Sequence, residues 1–108
     1  MNFKEYQDTI KITAKYPANV RVLYPALGLA GETGEVCEKI KKVYRDNNGG
    51  FSQDKVIEIT KELGDVLWYI QAICNDLGIN MQDVAQTNVD KLMSRLDRNV
   101  IHGNGDNR

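Results

Sequence analysis

The 108-residue chain is poor in the residue types that carry much of protein chemistry. It has one histidine, His102, set in a glycine-rich stretch near its C-terminal end. Its two cysteines, Cys37 and Cys74, have neither a CxxC partner nor a histidine nearby, which argues against zinc. Both fall at apolar positions of expected helices and read as small buried hydrophobes with free thiols. Only two prolines occur, Pro17 and Pro25, so everything after residue 25 is free to be helical. No stretch is long and apolar enough to span a bilayer, and MNFKEYQDT lacks the apolar core of a signal peptide. A cytoplasmic location is therefore expected. With 14 basic against 15 acidic side chains, there is no charge excess to attract nucleic acid or an anionic membrane, and neither is expected as a partner.

What is present is an ordinary globular composition, expected to form a single domain over 1–108. Phe3, Tyr6, Ile10 and Thr13 recur at helical spacing and predict a first helix over 3–15, ending before Pro17. PANVRVLYP, residues 17–25, is a connector in which VRVLY allows a brief strand. A second helix is expected from Pro25 to Asp46, stopped by NNGG at 47–50. Ser52 is the expected cap of a third helix, whose stripe includes Val56, Ile59, Leu63, Val66, Leu67, Ile70 and Cys74 and which Gly78 ends. Asn80 caps a fourth, carrying Met81, Val84, Ala85, Leu92, Met93 and Leu96. Residues from about 100 to 108 read as a loop or tail. The fold class is all-α: a four-helix bundle with helices two and three as an antiparallel pair. Four helices of this size bury a thin core, so a homodimer or homotetramer is expected.

The informative feature is a repeated acidic pair. GLAGETGEVCEKIKK, residues 28–42, holds Glu32 and Glu35; KELGDVLWY, residues 61–69, holds Glu62 and Asp65. Positions three apart lie roughly 60° apart on a helix, so each pair faces one way. Glu35 can reach Lys39, and Glu38 can reach Lys42, in the favourable order. Glu32 and Glu62 have no cation three or four residues away, and their neighbours one turn on are acids. Acids in a helix are commonly just a solvated face. Two such pairs in helices expected to pack together point instead to a metal. All-oxygen ligands suit Mg²⁺ or Mn²⁺, and Mg²⁺ often completes its shell with phosphates. The lack of helical histidines argues against a di-iron centre. Gly28, Gly31, Gly34 and Gly64 cost about 1 kcal/mol each in a helix and are expected to bring backbones close or leave room beside the acids.

These segments, with KELGDVLWYIQAICNDLGI, resemble the MazG-like nucleoside triphosphate pyrophosphohydrolases, an all-α family whose motif is E-x-x-E followed by E-x-x-D. The resemblance implies hydrolysis of a (deoxy)nucleoside triphosphate to a monophosphate and pyrophosphate. It implies that Glu32, Glu35, Glu62 and Asp65 hold Mg²⁺ on the triphosphate. Glu35 or Glu38 is expected to accept a proton from the attacking water. NVDKLMSRL places Lys91 and Arg95 on one face with Asn88 a turn earlier, similar to a phosphate-contacting pattern of relatives. Asn88 also interrupts an apolar stripe and is expected to be buried with a partner. Tyr69 is expected to contact base or sugar. The chain departs from some members in carrying Glu58 where they carry a lysine. Two other readings fit the residues: a nucleotide-binding regulator without turnover, and a helical interaction module whose acids are merely solvated.

Overall fold

A computed structural model describes all residues, 1–108. It is all-helical. Four α-helices run over Phe3–Thr13 (α1), Leu23–Asn47 (α2), Gln53–Leu77 (α3) and Met81–Asp97 (α4), with one 3₁₀ turn at Ala18–Val20. No helix is long and apolar enough to cross a membrane.

Local chemistry explains most boundaries. Asn2 caps α1 by accepting from the Glu5 backbone N–H, and Ser52 caps α3 by accepting from that of Lys55. α2 ends at Asn48, and α3 at Gly78, both in the left-handed region. Asn80 stands at the start of α4, but its side chain makes no capping bond; its carbonyl accepts from Asp83 and Val84 N–H at 3.1 Å each.

Two expectations are corrected before residue 25. α1 stops at Thr13, because Ala14 turns extended. VRVLY forms no strand: Val22 adopts φ 65° and α2 begins at Leu23. Pro25 thus lies inside the first helical turn, where its missing N–H would have had no partner. The carboxylate of Asp76 holds this junction, accepting from Val22 N–H at 2.9 Å and from the Tyr16 hydroxyl at 2.8 Å.

α2 and α3 form the dominant packing pair. Tyr69 lies against Gly28, Glu62 pairs with Lys39 and Phe51 meets Tyr44, so the helices run antiparallel. Each has 25 residues, about 37 Å of rod. α1 packs across α3, and α4 is held chiefly by α1. The result is open. The radius of gyration is 16.9 Å, against about 13 Å for a compact domain of this length. Only eight residues are buried, among them Ile10, Val43, Ala72, Cys74 and Met81. Cys37, expected inside, is exposed, because nothing covers its face of α2. Val56, Leu63 and Leu67 form an exposed stripe on α3, and Val89, Leu92, Met93 and Leu96 form another on α4.

Candidate functional site

Three of the four motif acids converge. Glu32 from α2 and Glu62 and Asp65 from α3 each offer a carboxylate oxygen, and these oxygens all lie within 4.8 Å of one another. Antiparallel pairing sets the rows side by side, and the spacing of three within α3 turns Glu62 and Asp65 the same way. The crowding has an electrostatic signature. Partial burial pushes the Glu32 carboxyl up from its ordinary value; the charges of Asp65 and Glu62, a hydrogen bond with Glu62 and the charge of Glu35 push it further. Burial also raises the Tyr6 phenol, with the Asp65 charge as a second cause. Oxygen donors this close, with one carboxyl already resisting ionisation, fit a hard divalent cation. Glu35 stands outside the close trio. It is exposed and makes no ion pair, yet its charge reaches Glu32.

The ion pairs differ from those expected along single helices. Lys39 leaves Glu35 and crosses to Glu62, with Nζ 3.5 Å from Oε1. Glu38 takes Lys41 at 2.7 Å rather than Lys42, and that hydrogen bond holds its carboxyl below the usual range. Glu58 is held down in the same way by Lys55 at 3.0 Å. Lys39 is thus the one cation paired with the trio, a role that spacing within one helix could not indicate.

The glycines divide. A Cβ on Gly28 would fall 2.1–2.6 Å from the Tyr69 ring, so its bareness makes room for that ring. At Gly31, Gly34 and Gly64 an added Cβ meets nothing within 4 Å; in the single chain these positions border open space rather than a close helix contact. Tyr69 lies beside the acids: burial raises its phenol, and nearby Tyr24, Glu32 and Asp65 add to the shift. A cleft of about 310 Å³ is lined by Glu32, Asp65, Thr13, Trp68 and Tyr69. Thr13, expected only as part of the stripe of the first helix, fixes this wall by accepting from the Trp68 indole at 2.8 Å.

The groups of α4 are occupied differently. Asn88 is exposed, not buried as the stripe predicts, since no helix covers that face. Arg95 is only 5% exposed. Its guanidinium donates to the backbone oxygens of Asp106 at 2.8 Å and Gly105 at 3.4 Å, and Nε has no partner. Lys91 and Arg95 both pair with the Asp106 carboxylate, at 3.4 and 3.5 Å. The last residues therefore fold back on α4. Arg108 closes the loop by donating to the carbonyls of Val100 and Ile101. His102 is exposed in that loop and takes no part in the acidic site.

The chain is similar to known proteins over most of its length. A family model described as the MazG nucleotide pyrophosphohydrolase domain matches residues 24–100, which include both acidic motifs and α4. The chain is 41% identical to the gene 37 protein of Mycobacterium phage L5, with full coverage of both chains. That relative's name carries no statement of activity. No solved structure matches the chain.

Proposed function

Because the chain belongs to the MazG nucleotide pyrophosphohydrolase family, we propose that it is a Mg²⁺-dependent enzyme cleaving a (deoxy)nucleoside triphosphate to the monophosphate and pyrophosphate. The observation that carries this reading is the carboxylate trio. Glu32, Glu62 and Asp65 come from two helices and offer oxygens within 4.8 Å. Such a set is costly without a cation and is suited to one. Glu32, Glu62 and Asp65 would hold Mg²⁺, or Mn²⁺ in its place, with Glu35 joining from the adjacent turn. Bound there, the ion supplies neutralisation of phosphate charge and acidification of a water.

The residues of the chain do the rest. Glu38 is engaged by Lys41. Glu35 makes no ion pair and is the better proton acceptor of the two candidates. Lys91, Arg95 and Asn88 are assigned to the phosphates, and Tyr69, at the edge of the acids, to the nucleoside end. α4 is held chiefly by α1. Lys91 would be presented to the acids in an assembly of chains, and Arg95 once the tail backbone it holds is released; the protein is read as a cytoplasmic homo-oligomer.

The test is Glu62→Gln, which keeps shape and removes charge. Circular dichroism should be unchanged while Mg²⁺-dependent pyrophosphate release is lost. Equal turnover by the variant across a panel of common and modified nucleotides would end the assignment. Calorimetric nucleotide binding by the unaltered protein, with no pyrophosphate released, would assign a regulator instead.

A further inference from the structure

The segment after α4 is held on that helix by the same cations that are assigned above to phosphates. Lys91 Nζ lies 3.4 Å, and Arg95 Nη2 3.5 Å, from one oxygen of the Asp106 carboxylate. The same Nη2 donates to the backbone oxygens of Asp106 at 2.8 Å and Gly105 at 3.4 Å. Three oxygens thus share a nitrogen that carries two hydrogens. Arg95 Nε, with a hydrogen to give, is buried and has no acceptor. The guanidinium is crowded on one nitrogen and idle on the next, in a residue only 5% exposed. A buried N–H without a partner is unfavourable, so other contacts hold the arrangement. Arg98 donates to the Arg108 backbone oxygen at 2.7 Å, and Arg108 donates to the Gly105 carbonyl at 2.5 Å. Gly105 makes the turn at φ 84°. The grip on Lys91 depends on Asp106 alone, whose side chain is 86% exposed.

We propose that residues 98–108 are an autoinhibitory latch, in which the Asp106 carboxylate and the backbone oxygens beside it occupy Lys91 and Arg95 in place of phosphate oxygens. This rests on the assignment of those two cations to the phosphates and adds a regulation of the same site. A phosphate offers several anionic oxygens to a planar fork, and it can take Nε and Nη2 together in the two-point grip that suits a guanidinium. The latch gives Nε nothing. That nitrogen is closed to solvent in the latched chain, so a phosphate reaches it only when the segment lifts. The pairs made by Asp106 are weak because its carboxylate stands in water. A polyphosphate, with more charge and more oxygens, is therefore equipped to displace it.

The full-length protein is titrated with inorganic tripolyphosphate by calorimetry, in EDTA so that no metal bridges the anion to the acids. Tryptic cleavage after Arg98 is followed by mass spectrometry in the same solutions. Expected is saturable binding, with faster cleavage at Arg98 as the latch opens. Two variants of opposite charge change separate release of the latch from general attraction. Asp106→Asn removes an anion and should tighten tripolyphosphate about threefold, the scale of losing two part-exposed ion pairs. Arg108→Ala removes a cation, which by charge alone weakens binding of an anion. It also undoes the brace, and should therefore tighten binding as Asp106→Asn does. Both variants should keep the helical circular dichroism and be cleaved faster than the unaltered protein before any ligand is added. Slower cleavage on binding would overturn the proposal, because the segment would then close over the anion. Unchanged cleavage while the anion binds, weaker binding by Arg108→Ala, or no binding by any of the three proteins would overturn it as well. Pyrophosphate release from nucleotides is scored separately. Turnover with no response of the latch removes this proposal alone, whereas a responding latch without turnover removes the catalytic reading and leaves the latch standing.

Discussion

Replacing Leu63 with lysine separates an incomplete chain from a complete one. The side chain is 52% exposed, in the middle of the Val56–Leu63–Leu67 stripe. For a lone chain, a lysine there is a surface change worth within about 0.5 kcal/mol. The proposed assembly predicts a larger effect, and its size follows from the molecular surface. At 7788 Å² it exceeds by about 1,700 Å² the roughly 6,100 Å² expected of a compact monomer of 12.2 kDa. If each of two copies buries that excess, the interface totals about 3,400 Å², within the range of obligate homodimers. A buried leucine contributes about 1.5–3 kcal/mol, and two-fold symmetry counts it twice. Leu63→Lys should then cost about 3–6 kcal/mol per dimer, before any charge desolvation. Subunit dissociation should rise about 10²–10⁴-fold. Sedimentation velocity at micromolar concentration should show an oligomer for the unaltered protein and monomer for the variant, with a lower unfolding midpoint. A monomeric unaltered protein, equal in midpoint to its variant, would refute the reasoning.

Four further outcomes follow from the same geometry. Lys39→Met removes the cation on Glu62; with the pair part-exposed at 3.5 Å, Mn²⁺ should bind several-fold tighter by calorimetry, in line with about 0.2–1 kcal/mol for such a pair. Asp76→Ala leaves the Val22 N–H and the Tyr16 hydroxyl without their acceptor. It should cost about 2–4 kcal/mol, read as a thermal midpoint lower by about 10–20 °C. Burial and the Asp76 contact push the Tyr16 phenol up to about 12, so its contribution to stability is complete below its ordinary value of 10.0 and is lost as pH rises through 12. Alkaline unfolding of Tyr16→Phe should lack that component. Lys91, by hydrogen bond and charge, and then Arg95 depress Asp106. The tail contact should therefore persist above the ordinary value of 3.8 and loosen as pH falls through the lower folded one, with Asp106→Asn giving the loosened state at neutral pH. Limited proteolysis of residues 98–108 measures this, and equal cleavage of both forms would count against the latch.

Signals written in one or two residues were legible in the chain itself. Ser52 announces α3 because its hydroxyl can take a backbone N–H that the first turn leaves free. Gly78 ends α3 because it accepts φ 70° without a Cβ clash. The periodicity of the acids marks Glu62 and Asp65 as facing one way, since helical geometry fixes that before any folding partner is known. Val22 is the counter-example. A β-branched residue at φ 65° is held by Asp76, 54 positions away, and local preference alone argues against it.

Everything that depends on which rods meet was decided by packing. Lys39 belongs to Glu62 rather than to Glu35 because an ammonium pairs with the nearest carboxylate in space, and antiparallel helices bring that one from the neighbouring rod. The same pairing brings Glu32 to Glu62 and Asp65 but leaves Glu35 at the edge. Cys37 and Asn88 are exposed because burial is a property of what covers a face, and a stripe of apolar residues says only that some cover is wanted. The order of residues determined the helices and the four acids. Only the tertiary arrangement chose which three of them share oxygens, and which apolar faces one chain cannot cover by itself.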